Sequence, residues 1–474
     1  MDRIVSSLRA TIDTDLVELL ERYLTIACLS PDFTDASSPS AEIDQAIALF
    51  ARWAGERQLV GAKISVQRLE GRTPALVIDI PSTAPEATGT VLLYGHLDKQ
   101  PPLGDWSDGL DPFVPVRRGD LLYGRGAADD GYALPTALLA IEAADAAGLP
   151  RGRCVVLIEA SEESGSPDLA AHLDILLPSC GDVDLVICLD SGALDFDRIW
   201  ITTSLRGNVV ATVRVTVLDQ GVHSGEASGV IPSSFRLMRQ LLDRIEDPQT
   251  GELLLDTVNI APPAHVMADA AVVDAELNDP LGRHFPARPG LELMGRDGTD
   301  RLLRQSWAAT LSVVGADGLP PSAVAGNVLR SSTTLKLSLR TPPSANVEAV
   351  ASELIAALTA HPPSGADVSV SLQQPAAGWV APETAPWLLD ALDEGSRAGF
   401  GGRPGFLGEG GSIPFLAALE ERLGAAQFLV TGVLGPGSNA HGPDESLHLP
   451  SAANVAITLV SVLAAHGRRT HGSP

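Results

Sequence analysis

Several apolar runs in this sequence end in side chains that can bind a metal or move a proton. Residues 91–94 run into Gly95-His96-Leu97-Asp98. Residues 154–159 run into Ser161-Glu162-Glu163-Ser164-Gly165, and residues 185–189 into Asp190-Ser191-Gly192. Residues 427–433 lead to Gly437-Ser438-Asn439-Ala440-His441-Gly442. A fifth segment, Gly124-Arg125-Gly126-Ala127-Ala128-Asp129-Asp130-Gly131, is a Gly-rich turn holding two aspartates ahead of a helical pattern. In open α/β sheets, ligands bind just beyond the carboxyl ends of the strands. Two histidines and several carboxylates therefore collect at one sheet edge. Such a mixed nitrogen and oxygen set suits zinc, manganese or cobalt. Five ligands serve two ions if one carboxylate bridges them. Two ions roughly 3.5–4 Å apart can clamp a hydroxide and polarise a carbonyl.

Taken singly, each piece has a plainer reading. A lone histidine after a strand is usually a surface or core residue. Glu162-Glu163 alone would be a solvated loop, and Asp129-Asp130 alone a turn and helix cap. Their convergence on one edge outweighs those readings.

The elements that must position these residues follow from the periodicity. Helical spacing of apolar residues covers 15–24, and about 41–57, where Ile43, Ala46, Ile47, Phe50 and Trp53 share a face. Short apolar runs at 75–80, 91–94, 155–158 and 185–189 alternate with a helix-like segment at 133–147. That alternation predicts an open α/β sheet, mostly parallel. The pattern changes after about Ile201. Residues 209–218, 335–340 and 368–372 alternate as half-exposed strands, with helical segments at 233–245 and 347–361. One-sided strands with helices predict a smaller α+β domain. Residues 280–320, rich in Gly, Pro and charge, read as a long irregular excursion. From Trp379 the α/β character returns, with helices at 386–398, 413–423 and 452–465 and a strand at 427–433. The expected organisation is a discontinuous α/β domain over residues 1–203 and 379–474, interrupted by an α+β domain over 204–378.

The remaining composition narrows the class. The chain has 474 residues, a net charge of −26 and four cysteines. The charge would repel nucleic acid phosphates and anionic membrane surfaces, so neither is expected as a partner. No apolar run approaches the roughly 20 residues that span a bilayer. The start, Met1-Asp2-Arg3-Ile4, lacks the basic and apolar regions of a secretory signal, which predicts a cytoplasmic protein. Cys28, Cys154, Cys180 and Cys188 form no C-x-x-C pair and read as buried, reduced thiols.

The strings Tyr94-Gly95-His96-Leu97-Asp98, Gly124-Arg125-Gly126-Ala127-Ala128-Asp129-Asp130 and Glu162-Glu163-Ser164-Gly165 resemble those of the dinuclear metallopeptidases and deacylases. That family includes carnosinase, cytosolic non-specific dipeptidase, succinyl-diaminopimelate desuccinylase and aminoacylase. Gly221-Val222-His223-Ser224-Gly225, Glu409-Gly410-Gly411-Ser412-Ile413-Pro414 and Asn439-Ala440-His441 add to the match. The resemblance spans nearly the whole chain and is nearest the carnosinase and dipeptidase branch.

The resemblance implies roles. His96 and Asp190 would hold one metal, Glu163 and His441 the other, and Asp129 would bridge them. The ions would be two per chain, zinc first, with manganese or cobalt as alternatives. Glu162 would be the general base and Asp98 would orient His96. The inserted domain would be a lid and dimerisation surface, giving a homodimer. His223 would reach the substrate oxyanion of the partner subunit. Asn327 and Arg340 match lid positions that contact substrate, and Gly410, Gly411 and Ser412 a loop lining the pocket. The Asp129–Asp130 peptide would be cis. One departure stands out: dipeptidase relatives usually carry lysine after the paired aspartates, where this chain has Gly131.

The expected activity is hydrolysis of amide bonds in dipeptides or small peptide-like substrates. An N-acyl-amino-acid deacylase or a metallocarboxypeptidase shares the same metal set and is the alternative. A non-catalytic binding protein is disfavoured, because Glu162 and every ligand position are present.

Overall fold

The computed structural model describes residues 2–34, 40–84, 89–285, 287–411, 413–424 and 426–469. The chain forms two compact units. The first gathers Met1–Thr203, Ala381–Phe406 and Ala418–Pro474; the second gathers Ser204–Val380 and Leu407–Ala417.

The first unit is α/β. Its central sheet has six strands: β1 (Lys63–Gln67), β2 (Ala75–Ile80), β3 (Thr90–His96), β4 (Arg153–Glu159), β5 (Val183–Cys188) and β6 (Gln427–Val430). Their order is β1-β2-β4-β3-β5-β6. The pairs β3/β4, β3/β5 and β5/β6 are parallel; β1/β2 and β2/β4 are antiparallel. The expected mostly parallel sheet is therefore present. Strand β3 shows why these runs are so apolar. Both of its faces are buried, and Val91, Leu92, Leu93 and Tyr94 are each at most 1% exposed. By contrast β1, which the apolar-run reading passes over, is an edge strand with exposed Lys63 and Ser65.

Register decides what the sheet can do. His96 pairs with Glu159, and both Tyr94 and Val430 pair with Cys188. The carboxyl ends of β3, β4, β5 and β6 thus finish at one edge. The helix Ala133–Ala146, which follows the Asp129 turn, is buried nearly all round. The C-terminal helix Leu449–Gly467 packs against it and against Pro386–Gly399. Leu449–Gly467 is long and apolar enough to cross a membrane, yet 89% of its apolar window is buried inside the protein. Its apolarity thus answers to the core. All four cysteines are buried and unpaired.

The second unit is α+β. Four antiparallel strands lie in the order Thr310–Asp317, Ser332–Thr341, Gly207–Thr216, Asp367–Leu372. Val209, Ala211, Val213 and Val215 alternate inward with Leu335, Leu337 and Leu339, against the helices Ser234–Leu242 and Val347–Thr359. One expectation fails here. Residues 280–320 are not wholly irregular: they contain the helix Gly298–Ser306 and the edge strand Thr310–Asp317. That strand exposes Val313 and Val314. An edge strand with little burial carries no clean alternation, so its sequence hides it.

Candidate metal centre

The end of β3 places His96 in the interior, 1% exposed. The position before it must be glycine. A Cβ on Gly95 would sit 2.6 Å from Asp130 Oδ2 and 2.7 Å from Ala133 Cβ. His96 Nδ1 lies 3.1 Å from the Asp98 carbonyl and 3.5 Å from Asp98 Oδ1. Its Nε2 lies 3.1 Å from Asp129 Oδ1 and 3.8 Å from Asp190 Oδ2. Donation from Nδ1 to Asp98 leaves the Nε2 lone pair facing two carboxylates. Only a proton or a metal ion satisfies that arrangement. Burial pulls the His96 imidazole down, but Asp129 and Asp98 prevail and hold its pKa well above the ordinary value.

The Gly-rich turn presents Asp129 between two imidazoles. Oδ1 faces His96, and Oδ2 lies 3.0 Å from His441 Nε2. The Asp129–Asp130 peptide is cis. Burial raises the Asp129 carboxyl, yet the hydrogen bonds from His441 and His96 outweigh it and leave its pKa below the usual carboxylate range. His441 Nε2 also lies 3.2 Å from Glu163 Oε2. Burial lowers the His441 pKa, but Asp129 and Glu163 lift it to about 11.

Two triads that could hold a metal ion result, His96-Asp129-Asp190 and Asp129-Glu163-His441. Within each, one ligand atom per residue lies within 4.8 Å of the others. The triads share Asp129, so all five sequence-predicted ligand residues converge. Glu162 and Asp98 join them. The Asp98 carboxylate accepts the backbone N–H groups of Glu162 at 3.1 Å and Glu163 at 3.0 Å. Asp98 therefore fixes the glutamate loop as well as the imidazole. Among the described residues the Glu162 carboxylate accepts no hydrogen bond. Burial, then Asp190, push its pKa well above the usual value. Burial likewise lifts Asp190 to about 7.

The donor set fits divalent metal ions. Asp129, Asp190, Glu162 and Glu163 crowd together, and among the described residues the cations that act on them are the imidazoles of His96 and His441. Desolvated carboxylates in that number call for a counter-charge. His96 and Asp190 could hold one ion, Glu163 and His441 a second, with Asp129 between.

Several supporting roles escape the motif reading. Gln100 donates to Glu163 Oε2 at 2.6 Å. It stands four residues after His96, and that offset from a ligand was its one signal. Asp130 Oδ2 accepts the backbone N–H of His96 at 3.2 Å. Arg125 and Glu445 pair behind the turn. The departure at Gly131 also has a cause: a side chain there would run into the ring of Tyr23.

The second unit holds the other candidates in two groups. His223 caps the short helix Ser224–Ala227, and its Nδ1 accepts the backbone N–H of Gly225 at 3.1 Å. That bond fixes the tautomer and leaves Nε2–H as a donor. Asn327 is exposed, and its carbonyl accepts from Ser224 N at 3.0 Å, beside His223. Arg340 lies on Ser332–Thr341 next to Arg206, which donates to the Gly410 carbonyl at 3.3 Å. Burial lowers the Arg340 pKa. Gly411 is exposed with open space around its Cα, and Ser412 lies outside the described residues.

Comparison with known proteins follows the same lines. A sequence profile of peptidase family M20/M25/M40 matches residues 92–465. The chain is 26% identical over 383 residues to a cysteinylglycine-S-conjugate dipeptidase of Corynebacterium striatum, covering 80% of this chain and 81% of that protein. The solved structure of the dipeptidase Dug1p from Saccharomyces cerevisiae shares the fold, with a TM-score of 0.79 at 22% identity over 99% and 100% of the two chains. So does a metallo-carboxypeptidase from Sulfolobus solfataricus, with a TM-score of 0.78 at 20% identity over 96% and 99%. The family resembled by the motifs and the family matched by the profile are the same. The chain belongs to peptidase family M20/M25/M40 and is a metallopeptidase hydrolase, working with divalent metal ions.

Proposed function

We propose that the protein is a cytoplasmic, homodimeric dipeptidase with two metal ions per chain. The two triads joined at Asp129, with Glu162 beside them, carry this reading. The dipeptidase activities of these relatives support a dipeptide substrate. The reduced, buried cysteines suit the cytoplasm.

His96 and Asp190 would hold one ion, Glu163 and His441 the other, and Asp129 both. Zinc is the first candidate for this donor set, manganese or cobalt the alternatives. When bound, two divalent ions supply a polarised carbonyl and an acidified water; three ligand carboxylates against two dications leave a net charge of about +1. Glu162 then takes the proton of the attacking water and returns it to the leaving amine. Asp98 keeps His96 in one tautomer and holds the backbone of Glu162 and Glu163. His223, from the partner subunit, donates its Nε2–H to the developing oxyanion. Arg340 grips the substrate carboxylate with both arms of its guanidinium. Asn327 touches the substrate, and Gly410, Gly411 and Ser412 line its pocket.

The test is a substrate panel on metal-reconstituted protein, comparing dipeptides such as Cys-Gly with N-acetyl amino acids and longer peptides. Fast release of both amino acids from dipeptides is expected. No turnover of any dipeptide at full metal load would overturn the reading. The fold shared with a metallo-carboxypeptidase favours carboxypeptidase action as the second reading. C-terminal trimming of longer peptides at the dipeptide rate would establish it.

A further inference from the structure

A second set of buried charges lies behind the Asp129 turn and takes no part in the steps above. Glu445 is 0% exposed and follows His441 by four residues. Its Oε1 accepts three backbone N–H groups of the turn: Gly126 at 3.1 Å, Ala128 at 3.2 Å and Asp129 at 3.3 Å. Its Oε2 pairs with Arg125 Nη1 at 2.5 Å. Arg125 Nη2 continues to the Gly442 carbonyl at 2.7 Å, and Gly124 N donates to the Glu445 carbonyl at 3.0 Å.

Clustered amides aimed at one oxygen make an anion nest. Here the anion comes from the protein, on the segment that carries His441. Three amides and a guanidinium call for a side chain that only accepts, and an ionised carboxylate does so through two oxygens. Lys99 adds to the cluster. It is 0% exposed, and its Nζ donates to the carbonyls of Tyr23 at 3.1 Å and Ile26 at 2.8 Å, near the end of the helix Val17–Leu24. It lies close enough to Glu445 and Arg125 to feel both charges. The turn bearing Asp129 and the segment bearing His441 are thereby tied by one buried ion pair.

We infer that Glu445 is a positioning residue for the metal centre: clamped by Arg125, it fixes Asp129 against His441 and makes the two triads one site. This rests on the two-metal reading above. Partners that orient metal ligands are typically worth about 10–100-fold in metal affinity or activity. The decisive measurement is zinc titration of the full-length apoprotein against a chromophoric chelator, for wild type and Glu445→Gln. Circular dichroism and thermal unfolding are recorded with and without zinc. Glu445→Gln is expected to weaken zinc binding about 10–100-fold and to shrink the rise in unfolding temperature on adding zinc. At saturating zinc, kcat should fall with KM nearly unchanged.

Removing one member of a buried pair can unfold a protein. Arg125→Lys therefore runs in parallel: it keeps the charge and loses the fork to Gly442, and zinc binding should weaken by a smaller factor. The double variant Glu445→Gln/Arg125→Met leaves no unpaired charge and should still bind zinc weakly. Folded variants that bind two ions as tightly as wild type, with both unfolding temperatures lowered equally, would overturn the proposal and make the pair merely structural. Wild-type protein binding fewer than two ions would instead overturn the two-metal reading itself.

Discussion

The candidate ligands of the first unit, the exposed His441 apart, and the exposed candidate contacts His223 and Asn327 of the second are built in opposite ways. His96 and Asp129 are 1% and 6% exposed, and each faces two or more named partners. Asp98 receives two backbone N–H groups, and Gln100 braces Glu163. His223 and Asn327 lie exposed on a short ribbon, where His223 is held by one local bond. A site that must hold several desolvated charges at fixed separation needs a rigid frame. A residue that meets substrate needs only a defined donor and room to approach it. The first design predicts loss of chemistry when a member is removed, and the second predicts loss of a particular contact.

The largest effect should come from emptying the first region. Dialysis against a strong chelator should reduce dipeptide hydrolysis to background, and adding back zinc, manganese or cobalt should restore it. Elemental analysis should give two ions per active chain. Full activity in protein with no transition metal would remove the metal from the mechanism. Next comes Glu162→Gln, which keeps shape but cannot take a proton. It should retain both ions and lose about 10²–10⁴-fold in kcat. Near-normal turnover would take Glu162 out of its role and leave only its metal-binding neighbours.

How much of this could be read from the sequence follows from the same contrast. The strands ending in His96, Glu159 and Cys188 are buried on both faces, so their apolar runs are continuous and their ends easy to find. Four of the five candidate ligands stand just at or after those ends or in the Gly-rich turn, the fifth, His441, follows the strand Gln427–Val430, and the strand register brings them together. The roles of Glu445, Arg125 and Gln100 were not legible, because their partners are backbone amides and carbonyls or a side chain far along the chain. No spacing announces that the amides of residues 126, 128 and 129 point at position 445. The edge strand Thr310–Asp317 was hidden for a different reason, since its exposed valines break the inside-outside rhythm. His223 and Arg340 stood out only through the family resemblance. A lone histidine in a Gly-flanked turn and an arginine near a strand end carry no pattern of their own.

The second region is probed first at His223. His223→Ala should keep metal and fold and lose about 10²–10³-fold in turnover, the usual cost of one oxyanion donor. Mixing it with Glu162→Gln tests whether the donor comes from the partner. A mixed dimer has one intact site if His223 acts across the interface, so activity should return to as much as about half of wild type per mixed dimer. Verified subunit exchange with no recovered activity would confine His223 to its own chain or remove it.

The smallest effect is expected at Arg340, and it is the one that sharpens the contrast most. Arg340 is half-buried on the sheet of the second unit beside Arg206, a cation whose own pKa burial and Arg340 lower to about 10. Two neighbouring guanidinium groups favour an anion, and a dipeptide brings one in its terminal carboxylate. Hydrogen bonds to charged groups are worth about 1.5–3 kcal/mol, which corresponds to roughly 10–100-fold in binding. Arg340→Met should therefore raise KM about 10–100-fold for dipeptides with a free carboxylate, with kcat much less affected. For the same dipeptides as C-terminal amides, the wild type should already show the higher KM, and the substitution should change little. Arg340→Lys keeps the charge but not the fork and should fall between. Equal losses for acids and amides would mean that Arg340 shapes the lid rather than grips the carboxylate. A fall in kcat with KM unchanged would move Arg340 from substrate contact to the chemistry itself, and the division between the two regions would not hold.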